Sequence, residues 1–155
     1  MEELRFACDA MLGTLARWLR FAGFDAFYEA GISDAHLAGL ARGEGRWLLT
    51  SDRRLAASAG PRSLLVRAGT VEAQVGEVRR RLPLVVDANR FFTRCPVCNA
   101  ALDEISREEA QTCVPPYVAR TAPRFRRCLG CRRTYWPGTH AARIADRLAR
   151  IFTAG

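Results

Sequence analysis

The residues able to do chemistry in this chain are four of its six cysteines and a few of its aspartates. Cys95 and Cys98 in "CPVC", and Cys128 and Cys131 in "CLGC", form two CxxC knuckles. Thiolates three positions apart on a tight turn both reach one zinc ion at about 2.3 Å, and two such turns complete a closed, tetrahedral site. The 29 residues between the knuckles exceed the usual spacing of about 15–20. Loop closure grows only as the logarithm of length, about 0.6 kcal/mol per doubling, so the long excursion is no obstacle. It is polar and proline-rich, so zinc is expected to supply much of its folding free energy. Cys8 reads as a packed strand thiol and Cys113 as a cysteine without a partner at ligand spacing.

Asp9, Asp34 and Asp52 form the second group. Singly, each is explained as a turn former, an N-cap or a complement to a helix dipole. Together they stand where three strands would end, and carboxylates around a water-filled notch suit Mg²⁺ or Mn²⁺. Such ions activate water and steady the leaving oxygen of a phosphodiester. An aspartyl-nucleophile phosphatase would want a second acid where Met11 stands, and no GxxxxGK[ST] run marks a P-loop. His36 and His140 belong to no visible triad.

The elements that must position these groups follow from periodicity. Arg5–Cys8 reads as a strand ending at Asp9. Met11, Leu12, Leu15, Trp18, Leu19 and Ala22 then recur at helical spacing, with Arg17 and Arg20 off that face and Gly23 closing the helix. Phe24–Tyr28 is a second strand, and Ser33 caps a helix from Asp34 to about Ala41. Trp47–Thr50 is a third strand leading to Asp52 and a short helix over Arg53–Ala59. Ser63–Arg67 is a fourth strand, and Thr70 caps a helix bearing Val71, Val75, Val78 and Leu82 on one face. Alternating strands and helices with short connections predict an α/β fold, a parallel sheet flanked by helices, whose ligands bind outside the strands' carboxyl ends. From Phe91 onward the texture changes, with no long periodic segment until Ala141–Phe152. The expected organisation is a core over 1–90 and a small four-cysteine zinc ribbon with a short terminal helix over 91–155.

The chain of 155 residues has a formal charge of +8, and all its basic residues are arginine. Thirteen arginines oppose eleven acids in 1–90, but eleven oppose five in 91–155. A basic surface of this kind attracts nucleic acid first and an anionic membrane second. No apolar run suits a membrane span, and the start of the chain lacks a signal-peptide plan, so a soluble, cytoplasmic protein with reduced cysteines is expected.

The stretches "CDAMLGTLARWLRFAGFDAFY", "SDAHLAGLA", "RWLLTSDRRL", "RCPVCNAAL", "VPPYVA", "FRRCLGC" and "TYWPGTH" occur in order over roughly residues 5–145. They resemble the PIN-like RNase family named for the C-terminal domain of Mut-seven exonucleases, in which a PIN-type nuclease core precedes a zinc ribbon. The resemblance implies a metal-dependent ribonuclease whose acidic positions are Asp9, Asp34 and Asp52, with zinc on Cys95, Cys98, Cys128 and Cys131. It also singles out Tyr135, Trp136 and His140, for packing against the core or for base stacking and phosphate contact. The family pattern often has arginine where Ser51 stands, leaving Arg53 or Arg54 to take its place. A fourth acid is common among PIN nucleases, with Glu72, Glu77 and Asp87 as candidates.

The resulting expectation is hydrolysis of RNA by one or two Mg²⁺ or Mn²⁺ ions on the three aspartates, leaving a 5′-phosphate. Arg17, Arg53, Arg54, Arg124, Arg126, Arg127, Trp136 and His140 would hold the RNA, free or within a ribosome or other ribonucleoprotein. The rival is a non-catalytic RNA- or ribonucleoprotein-binding ribbon with a degenerate acidic site. A third reading is a phosphatase acting on small phosphomonoesters.

Overall fold

The computed structural model describes residues 3–153. Four short strands, β1 (Phe6–Cys8), β2 (Ala26–Phe27), β3 (Trp47–Thr50) and β4 (Ser63–Leu65), pair in the order β2-β1-β3-β4, every pairing parallel. Phe6, Ala7 and Cys8 are all fully buried, as expected of a strand covered on both faces. The crossovers are α1 (Gly13–Phe21), α2 (Asp34–Glu44) and α3 (Arg53–Ser58), and α4 (Val71–Arg81) follows β4. The caps foreseen at Ser33 and Thr70 are in place, each side chain accepting a backbone N–H of the helix's first turn.

A core around Phe6, Leu15, Leu19, Leu49, Val75 and Val78 fills one side of the sheet, and a smaller one around Leu37, Leu48 and Leu55 fills the other. Because the strands are parallel, their carboxyl ends share one edge of the sheet and their amino ends the other. The chain returns to the amino edge after α1, where the Phe6 N–H donates to the Asp25 carbonyl at 2.9 Å. Gly23 makes this return possible: its φ is +97°, and a Cβ there would sit 2.5 Å from the Arg90 carbonyl oxygen.

The remainder holds an antiparallel sheet, β5 (Leu102–Ile105), β6 (Phe125–Cys128) and β7 (Thr134–Tyr135), in the order β5-β6-β7. The excursion between the knuckles is more ordered than its composition suggests. It carries α5 (Arg107–Ala110) and α6 (Pro116–Thr121), and Ala110, Val114, Ala119, Ala122 and Phe125 form a core of their own. The segment thus has an apolar core of its own beside the metal group expected to supply much of its folding free energy. The last helix, α7 (Thr139–Thr153), returns to the first unit, where Ile144 and Leu148 are buried in the same core as Phe6 and Val78. Arg147 lies 4.4 Å above the Trp18 ring and pairs with Glu72.

Candidate functional site

The four Sγ atoms of Cys95, Cys98, Cys128 and Cys131 all lie within 4.8 Å of one another. Tetrahedral zinc with sulfur at about 2.3 Å requires sulfurs about 3.8 Å apart; the Cys95–Cys131 and Cys98–Cys128 separations are 3.8 and 3.3 Å. The donor set thus fits zinc. The N–H groups of Gly130 and Cys131 both point at Cys128 Sγ, at 3.3 Å each. The backbone N–H of Arg133 above all pulls the Cys131 thiol down to about 6, favouring the thiolate a metal needs. The Tyr135 hydroxyl lies 3.0 Å from Cys95 Sγ, which gives one residue of the "TYWPGTH" stretch a place beside the ligands. Gly130 leaves room for the cluster, since a Cβ there would come within 3.2 Å of Cys98 Sγ. Each knuckle ends on a left-handed residue, Asn99 (φ 72°) and Arg132 (φ 68°). Cys8 stays outside, fully buried, with burial pushing its thiol up to about 12.

The ribbon grips the amino edge of the parallel sheet through polar contacts that periodicity does not reveal. Arg20, expected off the apolar face of α1, is buried: its Nε donates to the Ala26 carbonyl and its Nη1 to the carbonyls of Pro96 and Val97, at 2.9, 2.9 and 3.3 Å. Asn99 Oδ1 accepts the N–H of Ala26, on the sheet's edge strand, at 3.0 Å. Its Nδ2 donates to Asp25 Oδ1 at 2.6 Å. Arg46 completes the cluster with two bonds to the same carboxylate. Burial pushes Asp25 up, but the hydrogen bonds from Arg46 and Asn99 outweigh it and hold the carboxyl below the usual range.

The carboxyl edge carries the aspartates. Asp9 directly follows β1 and is buried; its Oδ1 accepts the Met11 N–H at 2.8 Å, and its Oδ2 accepts the Thr50 hydroxyl and the Ser51 N–H. Thr50, the last residue of β3 and fully buried, accepts the Asp52 N–H at 2.9 Å. One threonine hydroxyl thus joins the two strand-end aspartates. Asp52 caps α3 through Oδ1, which accepts the N–H groups of Arg54 and Leu55. Its Oδ2 makes no hydrogen bond among the described residues. A carboxylate offers about four lone-pair sites, so Asp9, with three donors, and Asp52, with two, both keep acceptor capacity for a hard cation.

Asp34 opens α2 and is exposed. The three carboxylates do not form a compact ligand group: among the described residues only the four cysteines meet that spacing. The other acids are committed elsewhere. Glu77 accepts the N–H groups of Arg67 and Ala68, Glu72 pairs with Arg147, and Asp87 caps a turn at Ala88–Arg90. Beside the notch, Tyr28 donates its hydroxyl to the Ala10 carbonyl at 3.0 Å, lying across Gly13. Periodicity missed Thr50 and Tyr28, although a lone hydroxyl ending the buried run "WLLT" is a readable signal.

The basic candidates divide by location. Arg53 and Arg54 are exposed next to Asp52, and Arg17 is exposed midway along α1. Arg126 is half-buried and donates to the Phe92 carbonyl at 2.8 Å, while Arg127 reaches the Glu109 carbonyl and Cys113. Arg124 is exposed, Trp136 packs partly on the ribbon's core, and His140 is exposed.

A parallel α/β unit with acids at its strand ends is gripped by a ribbon whose four cysteines could hold one metal ion. A family model described as the Mut7-C RNAse domain matches residues 4–148, and the chain belongs to that family. Comparisons with curated proteins and with solved structures give no match. Among the described residues, no helix is long and apolar enough to cross a membrane.

Proposed function

We propose that this chain is a divalent-metal-dependent, PIN-like ribonuclease in which Asp9 and Asp52 hold Mg²⁺ or Mn²⁺, with Asp34, which forms no compact group with them, as a third candidate ligand, and in which a zinc in the ribbon is structural. The observation that carries the reading is the Asp9–Thr50–Asp52 link at the carboxyl edge of the parallel sheet, where ligands of such sheets bind. Three donors fix the Asp9 carboxylate in one orientation, so it needs no reorganisation to accept a ligand. Asp52 is held at Oδ1 by two N–H groups of α3, which leaves Oδ2 for a cation. Arg53 and Arg54, whose guanidinium groups have no protein partner among the described residues, stand beside it to hold phosphate oxygens. The bound cation supplies Lewis-acid polarisation of the scissile phosphate and a water of lowered pKa. Asp9 and Asp52 orient that chemistry, and the expected product carries a 5′-phosphate.

The test is cleavage of single-stranded RNA with Mn²⁺ by the wild type and by Asp9→Asn, Asp34→Asn and Asp52→Asn. Loss of activity in the Asp9 and Asp52 variants, with zinc content unchanged, is the expected result. Equal activity would remove these residues from the mechanism, and turnover of a chromogenic phosphomonoester without RNA cleavage would overturn the substrate class.

A further inference from the structure

A cleft of about 630 Å³ lies at the amino edge of the parallel sheet, between the end of α1, the Phe91–Arg94 segment, the ribbon and α7. That volume falls within the roughly 300–1,000 Å³ of small-ligand sites. Phe21, Phe92, Tyr135 and Trp136 line it, and Arg94, Arg124 and Arg126 surround it, with no carboxylate in the lining. We propose that this cleft is a nucleobase subsite that holds an unstacked base of single-stranded RNA while Arg124 holds its phosphate. The proposal rests on the ribonuclease reading and assigns it a second point of contact with the RNA, away from the acids.

Three observations carry it. First, Phe92 has φ 58°, a left-handed conformation that a bulky residue rarely adopts and that tends to persist at functional positions. The fold holds it there from both sides: its N–H donates to the Phe21 carbonyl at 2.9 Å, and Arg126 donates to its carbonyl at 2.8 Å. The Phe92 ring meets Phe21 edge-on, centroids 5.9 Å apart, at the cleft wall. Second, the wall is aromatic and apolar but its rim is cationic. Arg124 is exposed and makes no hydrogen bond or ion pair among the described residues, so it is available to a phosphate. An aromatic floor with a cationic rim matches a base joined to its phosphate, and only a single strand can offer that base, because a duplex keeps it stacked inside.

Third, a path joins cleft and notch. Thr14, Arg17 and Phe21 fall on one face of α1 at helical spacing, and Thr14 and Arg17 are both exposed. The helix starts at the carboxyl edge, next to Asp9, and ends at the cleft, a rise of roughly 12 Å along its axis. Arg17 stands between them, where a phosphate of the connecting nucleotides would pass.

The test is fluorescence anisotropy with the full, zinc-loaded chain and no added Mg²⁺ or Mn²⁺. The probe is a single-stranded RNA of about ten nucleotides, within the roughly 4–16 typical of single-strand sites, compared with its abasic analogue and its duplex. Arg124→Glu is expected to weaken single-strand binding about tenfold and to reduce the salt slope by about one. Trp136→Ala is expected to bring intact and abasic strands to similar affinity, while Trp136→Phe keeps them apart. Arg124 lies outside the cores, so its variant remains informative if Trp136→Ala lowers zinc content. Unchanged single-strand binding by Arg124→Glu, or a duplex bound as tightly as the single strand, would overturn the proposal. The two readings fail separately: RNA cleavage by Asp52→Asn reports on the acidic notch, and binding by Arg124→Glu reports on the cleft.

Discussion

Asn99 donates to Asp25 across 2.6 Å, joining the first zinc knuckle to the edge of the parallel sheet. The same side chain accepts the N–H of Ala26, which lies on the edge strand. Asn99→Ala leaves both groups without this partner and keeps the left-handed backbone without the residue type that tolerates it. We expect a loss of about 1–3 kcal/mol in denaturant unfolding, and wild-type stability in Asn99→Ala would show that these bonds do not carry the contact.

Asp25 also makes stability depend on acid. Its folded pKa lies below the unfolded value of about 3.9, so its contribution is fully present above that pH and is lost as pH falls through the folded value. Asp25→Asn should therefore flatten the acid limb of a stability-against-pH curve below about pH 4. A variant with the wild-type slope there would show that Arg46 and Asn99 do not bias the carboxyl.

Metal analysis should return one zinc per chain, and Cys128→Ser should lower it, because all four sulfurs belong to one group. Cys8→Ser and Cys113→Ser should retain the metal. Chelation should loosen the ribbon, read as faster hydrogen exchange in β5–β7, while the helices of the excursion keep partial protection from their own core.

Thr50→Val keeps the shape of the side chain but removes the hydroxyl shared by Asp9 and Asp52. By analogy with groups that orient metal ligands, RNA cleavage should fall about 10–100-fold, and Thr50→Ser should restore most of it. Full activity in Thr50→Val would mean that the two aspartates are positioned independently.

Gly23→Ala is opposed twice, by a φ of +97° and by the Arg90 carbonyl 2.5 Å from the new Cβ. Left-handed strain of roughly 1–2 kcal/mol and overpacking of about 1–3 kcal/mol together predict a loss of about 3 kcal/mol. Thermal unfolding checks this directly; a loss under about 1 kcal/mol would mean that the Arg90 turn moves away freely.

The strands and helices of the first unit were legible because each buries a continuous or periodic apolar face: Phe6–Cys8, Trp47–Thr50 and the Val71–Leu82 stripe announce themselves. The knuckles were legible because ligand spacing is local. The excursion's helices span four and six residues, too short for periodicity to register. α5 opens on a capping box of Ser106 and Glu109, a local feature that periodicity does not register. The docking of ribbon on sheet was not legible, because Arg20, Asp25, Arg46 and Asn99 are polar residues whose partners lie far along the chain. A polar residue's burial follows from the partner it meets, and single-sequence patterning does not record that meeting.

The return of α7 to the first core has a consequence for the metal. Phe91 and Ile144 are buried in one cluster, so both ends of the ribbon are moored to the same folded body. Mooring raises the effective concentration of one knuckle in the presence of the other. Folding of the core would therefore increase affinity for a zinc on the four cysteines, and by reciprocity that zinc would stabilise a core it never touches. The metal content of a preparation would thus double as a gauge of whether its first unit is folded.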